Sequence, residues 1–230
     1  GGTGRGVIAR ITPDGTLSVV HAMQTNDEGY SPYAGVIEGS DGNFYGTTYL
    51  GGAEGGGVVY KVAPDGTYTV LRALGQSKQD AVLPYAGLVQ AADGFLYGTT
   101  LRGGNNDKGT VFRLSTSGGD FSIIHHFDGA NGENPEGALV VGADGNLYGT
   151  TLQGGSGNRG TVFRITTTGT LTTLYSFPSL GAFNAQGQAT NATGANPRAG
   201  LLLAADGNFY GTAYQGGTGG WGTVFRMTPA

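Results

Sequence analysis

Cysteine is absent from the 230 residues, which removes disulfides, thiolate nucleophiles and cysteine-based metal sites together and leaves the redox compartment unreadable. Charge is scarce as well. Asp, Glu, Lys and Arg make up 12% of the chain against a globular norm near ~25%, so a charged helical bundle or coiled coil is excluded. The 12 Lys and Arg stand singly among 16 Asp and Glu, for a net charge of −4. They form no basic stripe, and no nucleic-acid partner is expected. Long apolar runs are missing too. The longest, Ala199 to Ala205, is interrupted by Gly200 and falls far short of the ~20 residues of a spanning helix, so no membrane insertion is expected. The opening Gly1-Gly2 replaces a Met, and no basic-then-apolar leader follows, which suggests a processed product or a piece of something longer.

What the chain has in excess is glycine, 47 residues, together with 12 Tyr and 10 Phe. With 38% hydrophobic residues and no Gly at every third position, neither collagen nor simple disorder fits. The glycines are periodic. A Gly-Gly pair recurs at Gly1-Gly2, Gly51-Gly52, Gly103-Gly104, Gly154-Gly155 and Gly216-Gly217, at spacings of 50, 52, 51 and 62 residues. A fixed period of this length means an array of supersecondary units, and it outranks local propensity in deciding the fold.

Each pair leads into a β-branched and aromatic run, such as Gly57-Val58-Val59-Tyr60-Lys61-Val62 or Gly109-Thr110-Val111-Phe112-Arg113-Leu114. The alternation predicts a strand. A turn such as Pro64-Asp65-Gly66 then opens a second strand. After a longer linker, Pro32, Pro84, Pro135 or Pro197 introduces a small-residue strand, and Asp41-Gly42, Asp93-Gly94, Asp144-Gly145 or Asp206-Gly207 turns it into a strand of the form Phe44-Tyr45-Gly46-Thr47-Thr48. Asp-Gly between alternating hydrophobics is a strong hairpin signal, because Gly takes positive φ without steric cost. Four antiparallel strands per ~50 residues, with no helical pattern, describe an all-β fold, a β-propeller.

The strand order resembles the kelch repeat, which also sets Gly-Gly after its second strand. The literal motifs Asp-Gly-Asn-Phe-Tyr-Gly-Thr-Thr and Gly-Thr-Val-Phe-Arg-Ile resemble more closely the GloVer-type tandem repeats of secreted or surface-anchored bacterial proteins. The resemblance covers essentially the whole chain. It implies architecture and an extracellular or cell-surface location, and it brings no catalytic set with it.

The expected organisation is a single domain, 1–230, with repeats 1–50, 51–102, 103–153, 154–215 and a partial 216–230. This gives seventeen strands in groups of two, four, four, four and three, one more than a four-bladed ring needs. Four blades are expected, with five as the alternative, and the unmatched strand Gly222 to Met227 either hangs free or pairs with a second copy of the chain.

Function is expected on the face that carries the Gly-Gly loops and the linkers before each Pro, since that face varies between repeats. Directly after the repeated Pro stand Tyr33, Tyr85, Glu136 and Arg198, at the entrance of each innermost strand. Two rings, an acid and a guanidinium around a channel mouth suit a sugar-like ligand, because rings stack on sugar faces while charged groups form bidentate hydrogen bonds. The plain alternative is that the tyrosines plug the channel and Glu136 pairs with Arg198. Trp221, the single Trp, fits either ligand contact or the capping of a terminal edge. The long linker from Pro178 to Asn196 either covers one side of a site or is a mobile insertion. His21, His125 and His126 are not placed to share a metal, and no metal or cofactor is expected. The ladder Arg10, Lys61, Arg113, Arg164 and Arg226, like Tyr45, Tyr97, Tyr148 and Tyr210, recurs in every repeat and reads as structural.

The leading expectation is a secreted or surface-exposed, non-catalytic module that binds carbohydrate or another extracellular polymer. One alternative is a glycosidase or polysaccharide lyase using Glu133 and Glu136, whose separation the sequence does not show. The other is a structural subunit that self-assembles into homo-oligomers through terminal strands.

Overall fold

Runs in which β-branched and aromatic residues alternate with small or polar ones become strands throughout the computed structural model, which describes residues 4–229. The first Gly-Gly pair lies outside the described residues. Five antiparallel sheets follow one another along the chain. The first pairs β1 (Val7–Ile11) with β2 (Leu17–Ala22). The second runs β3 (Ile37–Glu38), β4 (Phe44–Thr48), β5 (Val58–Val62) and β6 (Tyr68–Ala73). In the linker after it, β7 (Ala81–Val82) will meet a later two-residue strand. The third sheet contains β8 (Val89–Gln90), β9 (Leu96–Thr100), β11 (Thr110–Leu114) and β12 (Phe121–His126), while β10 (Arg102–Gly103) pairs with β7. The fourth consists of β13 (Val140–Val141), β14 (Leu147–Thr151), β15 (Thr161–Ile165) and β16 (Leu171–Ser176). The fifth has three strands, β17 (Leu202–Leu203), β18 (Phe209–Ala213) and β19 (Thr223–Met227).

The expected grouping of two, four, four, four and three strands is therefore present, with the β7–β10 ladder added in a linker. Two expectations change. The small-residue strands after each Pro have only two paired residues, and two of the segments leading into them approach backbone to backbone. A Cβ on Gly137 would stand 2.6 Å from the Gly200 nitrogen. The strand expected to be unmatched, Gly222 to Met227, does find a partner within the chain. Here β18 pairs with β19, and β1 with β2 alone.

The repeated motifs have direct physical explanations. Gly98 and Gly149 lie opposite Phe112 and Phe163 in the ladder, and a Cβ at either would meet the ring tip at 2.6 Å. The missing side chain thus makes room for an aromatic ring lying flat over the sheet. In each Asp-Gly turn that opens a Tyr-Gly strand, the Asp ties the hairpin in two directions. Asp144 Oδ1 accepts from the Asn146 amide at 3.1 Å and its Oδ2 from the Tyr148 hydroxyl at 2.9 Å, and Asp41, Asp93 and Asp206 repeat the pattern with Tyr45, Tyr97 and Tyr210. The cationic ladder lies opposite these tyrosines, Arg113 facing Tyr97 and Arg164 facing Tyr148.

Burial, reinforced by the bond to the neighbouring Asp, pushes the hydroxyls of Tyr45 and Tyr97 up to about 12. The folded state therefore holds these protons more tightly than the unfolded chain, whose tyrosines titrate near ~10. Their contribution is complete below pH ~10 and is lost as the pH rises toward about 12. Denaturant midpoints are expected to be flat to about pH 9.5 and to fall beyond it, and the fall should be smaller in Tyr97→Phe than in the parent chain. An equal fall in both would contradict this. Tyr97→Phe should move the onset and cost about 1 kcal/mol.

The core is divided. Four apolar clusters each draw on two successive sheets, for example Tyr97, Val111, Phe127, Leu139, Leu147 and Phe163 between the third and fourth. Each Pro also seals a junction, as Pro84 does against Gly57 and Pro197 against Gly160. At the two ends the faces are open, with Ile11 66% and Val224 78% exposed.

Candidate functional site

The residue before each repeated Pro sets the geometry of the site. Ser31, Leu83, Asn134 and Asn196 all take φ between 54° and 62°, a left-handed conformation unusual for non-Gly residues and costing about 1–3 kcal/mol each. Two backbone bonds hold each one there. The Asn196 amide donates to Arg159 O at 2.7 Å, across to the loop before β15 of the fourth sheet, and its carbonyl accepts from the Tyr214 amide at 3.2 Å. Leu83 bonds in the same way to Gly56 and Leu101, at 2.8 and 3.0 Å. The residue two places on is thus held at an equivalent point in each repeat, and these residues are Tyr33, Tyr85, Glu136 and Arg198.

Tyr33 and Tyr85 come together. Their ring centroids are 5.3 Å apart, and Tyr49 completes a trio at 5.3 Å from Tyr33 and 6.0 Å from Tyr85. Tyr33 is 61% and Tyr85 40% exposed, so both residues of the pair are partly open to solvent. Tyr49 was missed in the sequence. Its signal was available, because the position three after the Tyr-Gly glycine is Tyr in two repeats (Tyr49, Tyr214) and Leu in two others (Leu101, Leu152).

Glu136 and Arg198 also meet, with Oε2 3.8 Å from Nε. Burial raises the Glu136 carboxyl above the ordinary carboxylate range, and Arg198 opposes that rise. Arg198 in turn lies over the Tyr214 ring, 5.0 Å from its centroid. The site is therefore two contiguous pairings along one series of positions, an aromatic trio and an acid–guanidinium–ring group. Among the described residues no ring or ion contact joins Trp221 to either. It is 75% exposed and bridges to Gly216.

The loop carboxylates are mostly structural ties. Asp80 takes the amides of Gly75 and Gln76 and sits 3.4 Å from Arg72. Glu28 accepts from the Gln24 amide and faces His21, while Asp107 accepts from the Gly103 amide. Glu133, offered as an acid–base partner of Glu136, is 3.1 Å from Lys108, so the two carboxylates answer to different cations. His21 stacks on Tyr68 at 4.2 Å and His125 meets the edge of Phe127. Among the described residues no group of three metal-ligating side chains occurs. The linker from Pro178 is a folded flap: Phe183 bridges to Ala189, and the Asn184 side chain donates to Gly219 O at 2.8 Å.

A family model described as the Gloeobacter/Verrucomicrobia repeat matches residues 1–192. No curated protein sequence matches the chain. Among solved structures, the nidogen/laminin complex aligns with a TM-score of 0.58 at 16% identity, covering 90% of this chain and 64% of that one. The extracellular domain of the one-component system BT4673 from B. thetaiotaomicron gives 0.59 at 13%, over 94% of this chain and 24% of that one. A gluconolactonase from Xanthomonas campestris gives 0.56 at 17%, over 99% and 70%. The chain thus spans about two thirds of the first of these and a quarter of the second. At these identities the likeness is one of fold, a repeated, propeller-like all-β architecture.

Proposed function

The chain belongs to the Gloeobacter/Verrucomicrobia repeat family, and from that premise we propose that it is a non-catalytic binding module, secreted or surface-exposed, whose loop face takes carbohydrate or another extracellular polymer. The observation that carries this reading is the trio Tyr33, Tyr49 and Tyr85, with two of its rings largely open to solvent. Flat aromatic faces grouped on a surface offer apolar stacking area at low entropic cost, while the hydroxyls remain available for hydrogen bonds. Kelch-like blade order and succession of the five sheets as blades belong to the same reading. The extracellular domain among the fold neighbours agrees with the proposed location. A panel of polysaccharides tests it, run both for retardation in affinity electrophoresis and for new reducing or unsaturated ends. Retardation without product is expected. Product would turn the reading toward an enzyme, and no retardation by any member would end it.

A second reading, self-assembly, has its own observation. Strand β19 is paired only on the β18 side, and Val224 on it is 78% exposed, an unprotected edge of the kind that recruits another strand. If copies associate there, light scattering will show mass rising with concentration, and Val224→Lys will return the chain to a monomer. A monomer at every concentration removes this reading.

A further inference from the structure

One polar pocket differs from its counterparts along the array. Lying between the fourth and fifth sheets, it has a volume of about 220 Å³ and is lined by Arg159, Arg198, Asn196, Tyr214, Gln153 and Gln215, with Leu152. That is below the ~300 Å³ at which drug-sized pockets begin, enough for one monosaccharide-sized group.

The charge in this pocket is unusual for this chain. One repeat earlier, the position of Arg159 is held by Lys108: the amides of Asn134 and Asn196 donate to Lys108 O and Arg159 O in the same way. Lys108 is neutralised by Glu133 at 3.1 Å. The place of Glu133 is taken by Ala195, since Glu133 bridges to Gln153 as Ala195 bridges to Gln215. Among the described residues Arg159 has no carboxylate within ion-pair distance, and Arg198 has only Glu136, at 3.8 Å. Two guanidiniums therefore line a partly enclosed, polar site in which only Arg198 is paired with an acid, an arrangement suited to bidentate capture of an anion.

The other groups favour a sugar over a simple ion. Asn196 is 8% exposed, and its Oδ1 is buried without a partner while its Nδ2 donates to Leu152 O at 2.9 Å. Such an oxygen is an unmet acceptor beside the pocket, which a ligand hydroxyl satisfies once the side chain opens toward it. The oxygen of Asn134 is also unpartnered, so what sets the later pocket apart is its conjunction with the unpaired Arg159. Tyr214, 63% exposed and stacked under Arg198, supplies a ring face. Gln153 and Gln215 add amides that both donate and accept.

We propose that this pocket is a subsite for a carboxylate-bearing sugar, a hexuronate unit of an acidic polysaccharide. Arg159 and Arg198 take the carboxylate, Asn196 Oδ1 accepts a ring hydroxyl, and Tyr214 packs on the sugar face. The inference rests on the carbohydrate reading above and specifies its chemistry.

Calorimetric titration of the whole chain with an oligogalacturonate and with a neutral oligogalactoside of equal length tests it. The uronate is expected to bind about tenfold or more tightly, with the preference shrinking as salt rises. Arg159→Gln should erase the preference, and Arg159→Lys should keep part of it, both with the thermal midpoint unchanged. Equal affinity for the two oligomers, a preference that survives Arg159→Gln, or binding of neither overturns the subsite. Neutral binding that depends on Tyr33 and Tyr85 leaves the carbohydrate reading standing while the subsite fails. Uronate binding that needs Arg159 and ignores both tyrosines keeps the subsite and removes the aromatic site. Oligoglutamate bound as tightly, with the same Arg159 dependence, overturns the sugar assignment in favour of an acidic peptide.

Discussion

Phe163→Ala will destabilise the chain by about 3–5 kcal/mol, the range for deleting a fully buried ring whose neighbours relax only partly. The ring is 0% exposed and packs in the cluster between the third and fourth sheets, edge-on to Phe127 at 5.4 Å. It also lies over Gly149, where no side chain exists to collapse into the space. Phe225 is its counterpart in the last sheet. It is only partly buried beside Phe177, so Phe225→Ala should cost about 1 kcal/mol. Because each apolar cluster joins two successive sheets, much of the stability is local, and the Phe163 variant should lose its third and fourth sheets first. Thermal unfolding followed by circular dichroism, with hydrogen exchange to localise the loss, checks both values. Equal effects at the two positions would contradict the divided core.

The second large effect is on binding. Removing two rings of the trio together, in Tyr33→Ala with Tyr85→Ala, should weaken retention of a bound polysaccharide about a hundredfold, or about 2.7 kcal/mol, since exposed aromatic anchors carry most of the energy of such a surface. Stability should change little, because Tyr33 is 61% and Tyr85 40% exposed. Tyr33→Phe should retain most of the affinity if stacking dominates. Unchanged retention in the double variant would remove the trio as a binding site.

Much of the architecture was legible because its causes are local. The Asp41-to-Tyr45 stretch encodes a turn, its positive-φ glycine and the hydroxyl that ties it, all within five residues, and the same logic repeats at Asp93, Asp144 and Asp206. Tyr33, Tyr85, Glu136 and Arg198 were legible as a set because they stand at one offset from a repeated Pro. Tyr49, Arg159 and Asn196 were not. Their importance depends on what faces them from a neighbouring repeat, and the loss of Glu133's counterpart at Ala195 acquires meaning only when that place is known to lie beside a cation.

The sequence by itself determined the period, the strand grouping, the turns and the repeated position from which a binding surface could be built, since hydrogen-bonded hairpins and alternating burial are dictated by residues close in the chain. Tertiary structure decided that the tyrosines converge into an open trio, that Glu136 and Arg198 pair, that among the described residues no ring or ion contact joins Trp221 to either group, and that the last strand, β19, pairs with β18. These outcomes depend on how successive sheets stack, through contacts such as Pro197 on Gly160 and backbone on backbone at Gly137 and Gly200, which join residues far apart in the chain.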